Sequence, residues 1–266
     1  MRLQIDHLTE YTFDAPLAYG LQELRLTPKS RPFQTIEEWQ INIEGGRAEA
    51  TFQDQHANEV TLISLAEGAE AARIHCRGVV VTSDVAGVVG GHAGFAPIWL
   101  FERETALTKP GAGVRKIAKD GGAIGDRDID RLHALSGRIA EAAPYKKGAT
   151  KVDQTAEGAL AAKAAVCQDH AHIFIACARL MGYPARYVSG YLMLDEQPKQ
   201  DAGHAWAEAH VPGLGWVGFD VSNQISPDER YVRVATGLDY REAAPISGVT
   251  LGQNAEALSV RILVEQ

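Results

Sequence analysis

The segment from residue 166 to residue 181 constrains the fold more than any other part of the chain, because it has the pattern of a buried helix. Polar residues occupy its first turn, and residues 173–178 then read Ile-Phe-Ile-Ala-Cys-Ala. A helix that is apolar nearly all round is buried on most of its sides. Gly182 and Pro184 follow and are typical of a helix end. We therefore expect this helix to lie inside a core built from other elements.

The composition sets limits on the class of protein. The chain has 266 residues, of which 45% are hydrophobic and 23% are charged, as in an ordinary globular enzyme. The net charge of -8 disfavours nucleic-acid binding and a polybasic membrane surface, since both depend on basic side chains. No apolar run approaches the roughly 20 residues that span a bilayer. Neither nucleic acid nor a membrane is expected as a partner.

Two further features predict a cytoplasmic location. The first residues alternate apolar and polar side chains at once, unlike a secretory leader. The three cysteines, Cys76, Cys167 and Cys177, are an odd and sparse set. Such usage fits free thiols in a reducing compartment better than a disulfide framework.

Residues 1–105 have the pattern of a strand-rich domain. Apolar and polar residues alternate in several short segments, and the pair Gly45 and Gly46 is typical of a hairpin turn. No long amphipathic helix pattern interrupts these segments, so we predict an antiparallel β-sandwich-like domain. The glycine-rich stretch from 84 to 125 is interpreted as a crossing between domains, because its glycines match no phosphate-binding fingerprint.

Residues 106–266 change to a mixed pattern. Ile129, Leu132, Leu135 and Ile139 recur at helical spacing, and an alanine-rich segment precedes the buried helix. Period-two segments then return, and the predicted strands are 186–194, 204–211, 216–220, 231–235 and 258–264. The order predicts an α+β fold in which the second domain includes the C-terminal strands.

Cys167 stands at the start of the buried helix, a position that favours a reactive thiol. The free N–H groups and the positive end of the helix dipole stabilise an anion there, so the thiolate form is favoured. A thiol nucleophile also needs a base and a group that orients the base. His204 and Asp220 lie at the ends of consecutive predicted strands, which can place them side by side.

Other interpretations of the same residues remain open from spacing alone. A buried cysteine is usually a small core residue, and Cys76 and Cys177 are interpreted in this way. Cys167 together with His170, His172 and His204 could form a metal site, although this spacing matches no standard structural zinc pattern. We predict no metal and no cofactor.

Four blocks of sequence carry a resemblance to a known family. They are residues 165–172, 182–191, 204–208 and 215–220, and in this order the chain resembles the bacterial transglutaminase-like superfamily. Residues 21–28 and 54–58 are similar to the β-rich N-terminal domain found in many bacterial members, so the resemblance covers nearly the whole chain. It implies a papain-like core packed on an antiparallel sheet.

The resemblance assigns three catalytic roles by position. It implies that Cys167 is the nucleophile, His204 the base and acid, and Asp220 the group that orients His204. The chain departs from the family pattern at two places. Ala165 stands where glycine is usual, and Val221 and Ser222 follow Asp220 where the family has proline and threonine. Neither departure removes a functional atom.

Four neighbouring residues are weaker candidates. The Cys167 N–H and the Gln168 amide could bind an oxyanion, although Gln168 could equally be a helix-surface residue bonded to a loop. Asp169 complements the helix dipole and could pair with Arg186 or a histidine. Trp206 could line a substrate groove or belong to the core. Glu208 shares a strand face with His204 and could pair with a cation.

These residues predict a thiol enzyme that acts on peptide-like amides, with a peptide or protein as substrate. A thioester on Cys167 would pass to water, giving a cysteine protease or amidohydrolase, or to an amine, giving a transglutaminase. No Asp-rich calcium loop is visible, which favours the hydrolase. A non-catalytic binding or scaffold module on the same fold is the alternative from another class.

Overall fold

The computed structural model describes residues 1–122, 126–194, 198–251 and 256–266. Fourteen strands occur in these ranges: β1 Arg2–Phe13, β2 Tyr19–Thr27, β3 Gln34–Glu44, β4 Gly46–Gln53, β5 Glu59–Leu65, β6 Ala71–Thr82, β7 Val88–Gly90, β8 Ala185–Leu192, β9 Lys199–Gln200, β10 His204–Val211, β11 Gly215–Phe219, β12 Tyr231–Gly237, β13 Ile246–Leu251 and β14 Glu256–Glu265. The α-helices of these ranges are α1 Ala112–Gly122, α2 Asp128–Ala142, α3 Ala156–Ala162, α4 Cys167–Leu180 and α5 Tyr240–Ala243, and a short 3-10 helix covers Ile98–Glu102.

Two antiparallel sheets form the N-terminal domain. Their strand orders are β3-β6-β1-β14-β9 and β13-β2-β5-β4. Inward residues alternate with outward ones along β1 and β6, as expected when one face of a sheet is buried. Leu24, Ile63, Ile74 and Cys76 belong to the apolar core of this domain. The β-sandwich-like architecture follows from this pattern.

The end of the chain returns to the N-terminal sheets. Strand β14 pairs with β1, and β13 pairs with β2, both antiparallel. The prediction that the C-terminal strands belong with the second domain is therefore wrong for these two strands, whereas β12 does lie in the second domain's sheet. Alternation in the tail identifies strands, but it carries no information on which sheet supplies the partner. The proposed boundary at residue 105 stays a prediction.

The third sheet carries the helices. Its strand order is β12-β8-β10-β11-β7, and helix α4 packs on β10 and β8. Ala205, Ala207 and Ala209 face the helix, and their small side chains let it approach the sheet closely. From Asp169 to Arg179 helix α4 is buried, which confirms the predicted core helix.

The stretch from 84 to 125 is more ordered than predicted. It contributes strand β7, which pairs with β11, and helix α1, which packs on α2 and α4. Glycines at both ends of α1 interrupt the apolar spacing by which a helix is recognised in the sequence. At the start of the helix, the Glu157 carboxylate accepts hydrogen bonds from the N–H groups of Gly113 and Val114. The α+β class is confirmed. None of the described helices is both long and apolar enough to cross a membrane.

Candidate active site

Cys167 is the first residue of helix α4 and is partly exposed. The turn that carries it is held by Asp169, whose Oδ2 accepts hydrogen bonds from the Val166 N–H at 2.9 Å and from the Thr150 hydroxyl at 2.6 Å. This is a capping interaction at a helix start, and it fixes the direction in which Cys167 leaves the backbone. Asp169 thus stabilises the turn without pairing with Arg186 or a histidine, the two partners that the sequence suggested.

His204 begins strand β10 and bridges the other two predicted residues. Its Nε2 lies 2.6 Å from Asp220 Oδ2, and the side chain of Cys167 lies close enough to raise the pKa of the imidazole. The geometry brings together all three residues to which the resemblance assigns catalytic roles.

The electrostatics favour a charged imidazole. Burial alone lowers the pKa of His204, but the carboxylate of Asp220 and the contact with Cys167 outweigh it and raise the pKa to about 10. Burial also opposes ionisation of Asp220, yet His204 and the hydrogen-bond donors around it keep the pKa of this carboxyl below its ordinary value. The carboxylate of Asp220 therefore stabilises a protonated imidazole at His204.

Two residues that the sequence did not identify complete the surroundings of Asp220. The Tyr231 hydroxyl and the Asn223 side-chain amide each donate to Asp220 Oδ2 at 2.7 Å, and the Asn223 N–H donates to Oδ1 at 3.2 Å. Asn223 lies three residues after Asp220 and could have been found from turn chemistry. No local signal points to Tyr231, because its strand is joined to the site only by the sheet.

Comparison with known proteins places this arrangement in a family. A profile of the transglutaminase-like superfamily matches residues 115–221, and a profile of the bacterial transglutaminase-like N-terminal region matches residues 3–81. The chain belongs to the transglutaminase-like superfamily. The first profile includes Cys167, His204 and Asp220, and the second covers most of the N-terminal sheets.

Two individual proteins and one solved structure are similar to this chain. An uncharacterized protein of Mycobacterium leprae is 28% identical over 97% of this chain and 96% of its own length. An uncharacterized protein of Mycobacterium tuberculosis is 37% identical, over 46% of this chain and 42% of its own length. The crystal structure of a candidate cysteine protease from Cytophaga hutchinsonii shares the fold, with a TM-score of 0.77 and 20% identity over 100% of this chain and 91% of that one.

In this transglutaminase-like chain, two of the weaker candidates are engaged elsewhere. The side-chain amide of Gln168 donates to the Val152 carbonyl oxygen at 2.8 Å, which matches a helix-surface residue bonded to a loop. Trp206 is only 3% exposed and packs edge-on against Tyr231, so it belongs to the core. Trp206 also stacks near His204, with ring centroids 6.3 Å apart.

Glu208 is the centre of a buried ionic network on the sheet face opposite helix α4. It accepts hydrogen bonds from Arg186 at 2.6 Å and from Arg233 at 2.7 and 3.1 Å. Burial disfavours its charge, but the two guanidinium groups outweigh this and lower its pKa to about 2. The Arg186 guanidinium also lies 3.8 Å from the centroid of the Trp216 ring. Glu208 thus pairs with cations, as predicted, and joins β8, β10 and β12.

The two histidines of helix α4 are bonded inside the protein. His170 Nε2 lies 2.7 Å from the Ala143 carbonyl oxygen, and its Nδ1 lies 2.8 Å from the Ser222 hydroxyl. His172 Nε2 accepts a hydrogen bond from the Tyr240 N–H at 3.1 Å. Because these nitrogens are occupied, the arrangement does not support the alternative of a metal site with Cys167 and His204. Ser222, one of the family departures, serves to tie the loop after Asp220 to helix α4.

His172 should make the fold sensitive to acid. Burial and the nearby Arg179 lower its pKa to about 3, against 6.5 for an ordinary histidine. Below pH 6.5 the His172 imidazole is therefore protonated in the unfolded chain but stays neutral in the folded chain. We expect the free energy of unfolding to fall by about 1.4 kcal/mol per pH unit from this residue as the pH drops from 6.5 toward 3.

Urea unfolding of the wild type and of His172→Gln at pH 7 and pH 5 measures this effect. Between pH 7 and pH 5 the free energy of unfolding should fall less for the variant than for the wild type. At pH 7 the variant should already be the less stable of the two. His75→Gln is the matched control, because His75 lies partly exposed on β6 beside Asp6. Equal acid sensitivity of His172→Gln and the wild type would contradict the assignment.

Proposed function

We propose that this protein is a thiol amidohydrolase that cleaves peptide-like amides through Cys167, His204 and Asp220. The observation that carries the proposal is the position of His204, whose Nε2 lies 2.6 Å from Asp220 Oδ2 and whose pKa is raised by both Asp220 and Cys167. The helix start adds free N–H groups beside the thiol, where the oxyanion of an acyl-transfer reaction would develop.

The chemistry follows from the charges of the three groups. The Cys167 thiolate attacks the amide carbon, and the carbonyl electrons move onto oxygen beside the Cys167 N–H. The tetrahedral species collapses, the C–N bond breaks, and His204 gives its proton to the leaving amine. A thioester remains on Cys167. Neutral His204 then takes a proton from water, hydroxide adds to the thioester, and the carboxylic acid leaves as Cys167 regains its initial state.

The proposed acceptor is water. The fold is shared with a structure described as a candidate cysteine protease, and this supports hydrolysis. An amine could attack the same thioester, which is the transglutaminase alternative. Casein mixed with a fluorescent alkylamine separates the two, since an amidohydrolase of broad specificity releases soluble peptides and a transglutaminase couples the amine to the protein.

Alkylation of Cys167 by iodoacetamide tests the catalytic pair. A thiolate held by an imidazolium reacts at a rate that changes little between pH 5 and 8, whereas the rate of an ordinary thiol rises about tenfold per pH unit in this range. We expect the flat profile for wild-type Cys167, read from its labelled peptide by mass spectrometry. His204→Ala should restore the steep profile.

Cys177 is the internal control for this experiment. It lies fully buried on the same helix, and burial raises the pKa of its thiol well above the ordinary value, so it should label only when the protein unfolds. If the alkylation rate of wild-type Cys167 rose steeply with pH and His204→Ala did not change it, the proposal of a thiol enzyme would be contradicted. A non-catalytic binding or scaffold module would then be favoured.

A further inference from the structure

Strand β12 is at the edge of the third sheet, and side chains of the N-terminal domain cover its open side. The strand pairs with β8 on one side only. An edge strand presents unpaired N–H and C=O groups, and when such an edge is buried these groups need partners. Here two carboxamide side chains, those of Gln34 and Asn58, supply them.

Gln34 bonds the backbone of Arg233 as a neighbouring strand would. Its Nε2 donates to the Arg233 carbonyl oxygen at 2.9 Å, and its Oε1 accepts from the Arg233 N–H at 2.8 Å. The side chain is fully buried, and its second amide hydrogen goes to the Lys29 carbonyl oxygen at 2.9 Å. Gln34 is the first residue of β3, so the N-terminal domain reaches β12 at this point.

Asn58 makes the same pair of bonds three residues further along. Its Nδ2 donates to the Thr236 carbonyl oxygen at 2.7 Å, and its Oδ1 accepts from the Thr236 N–H at 2.8 Å. The spacing is explained by a β-bulge between Arg233 and Ala235, which turns the backbone of Thr236 outward. Asp54 accepts hydrogen bonds from the backbone and side-chain nitrogens of Asn58 and so holds the amide in place.

The same strand begins with Tyr231, whose hydroxyl donates to Asp220 Oδ2 at 2.7 Å. His204 bonds that same oxygen. Tyr231 and Arg233 lie on one face of β12. Gln34 fixes the backbone of Arg233, which is two residues after Tyr231. A shift of β12 would therefore move the Tyr231 hydroxyl away from Asp220 and loosen the orientation of His204.

We propose that the N-terminal domain is a working part of the catalytic site, because Gln34 and Asn58 fix strand β12 and Tyr231 then holds Asp220 toward His204. Tyr231 and Gln34 are positioning residues in this arrangement, since neither touches the reacting atoms. The inference rests on the proposed function of Cys167, His204 and Asp220. It assigns the N-terminal domain a role in that function beyond stabilising the fold.

A double-mutant cycle tests the connection, with iodoacetamide alkylation of Cys167 at pH 5.5 as the measurement. Tyr231→Phe removes one hydroxyl and Gln34→Leu removes both bonds to Arg233. We expect each to lower the rate by about tenfold, as for loss of a hydrogen bond to a charged group. The double variant should be little slower than either single one, because Gln34 acts through Tyr231.

Two controls separate positioning from general damage. Gln22→Leu changes another buried glutamine of the N-terminal domain, and because no hydrogen bond among the described residues joins Gln22 to β12 the alkylation rate should stay at the wild-type value. Gln34→Glu keeps the acceptor for the Arg233 N–H but loses the donor, so it should give an intermediate rate even if Gln34→Leu fails to fold.

The outcomes distinguish this inference from the proposed function. A wild-type rate that follows the profile of an ordinary thiol contradicts the proposed function itself. A fast wild type with unchanged Gln34→Glu and Gln34→Leu overturns only the inference. The inference is also overturned if the double variant alkylates about a hundredfold more slowly than the wild type. The effects of Gln34→Leu and Tyr231→Phe would then be independent, since independent effects are additive in free energy.

Discussion

The pKa of His204 should fall from about 10 toward 6.5 when Asp220 is replaced by asparagine. Burial disfavours the imidazolium, and the Asp220 carboxylate is the first of the groups that offset this. Asparagine preserves the shape of the side chain but removes its charge. An NMR titration that follows the His204 ring signal measures the change directly, and Asp201→Asn provides a control of equal charge change three residues before His204.

The same substitution should change how stability depends on pH. The pKa of His204 is higher in the folded chain than the ordinary 6.5, so its contribution is fully present below pH 6.5 and is lost as the pH rises through 10. Asp220→Asn should therefore flatten the decline in unfolding free energy between pH 6.5 and 10. A His204 pKa that stays near 10 in the variant would show that Asp220 is not the group that holds the imidazolium.

The largest loss of stability should come from Glu208→Gln. The change leaves Arg186 and Arg233 as buried cations without a carboxylate, and breaking a buried charge pair in this way costs about 3–5 kcal/mol. Both guanidinium groups are 5% exposed or less, so solvent cannot replace the lost partner. Urea unfolding at pH 7 measures the free energy of unfolding of wild type and variant.

Glu37→Gln is the matched control for this experiment. Glu37 pairs with Arg2 on the surface of the N-terminal domain, where both side chains are exposed and the pair is screened by solvent. Its replacement should have little effect on the unfolding free energy. A loss in Glu208→Gln as small as that in Glu37→Gln would mean that the buried network is not held together by charge.

Much of the candidate site can be predicted from the sequence because its signals are local. Cys167 begins a helix that is apolar nearly all round, and His204 and Asp220 stand at the ends of neighbouring strands that a short hairpin connects. Side-chain alternation also identifies Glu208 as lying on one face of β10. These inferences need only the geometry of a single helix and a single hairpin.

Other features depend on contacts between distant parts of the chain. Whether Trp206 lines a groove or lies in the core depends on what covers its side of the sheet, and no pattern within β10 contains that information. The partner of Asp169 is Thr150, which lies in a loop without regular spacing. The helix α1 was missed because glycines interrupt its pattern and a carboxylate from α3 satisfies its first N–H groups.

The sequence by itself determined the buried helix, the thiol at its start, the histidine and aspartate on the following strands, and the family to which they belong. Only the tertiary structure decided that β13 and β14 return to the N-terminal sheets and that Tyr231 bonds Asp220. It alone joined Gln34 to Arg233, 199 positions apart in the chain. The reason is physical: helix and strand periods act over a few residues, whereas strand pairing and buried hydrogen bonds are selected by the folded whole.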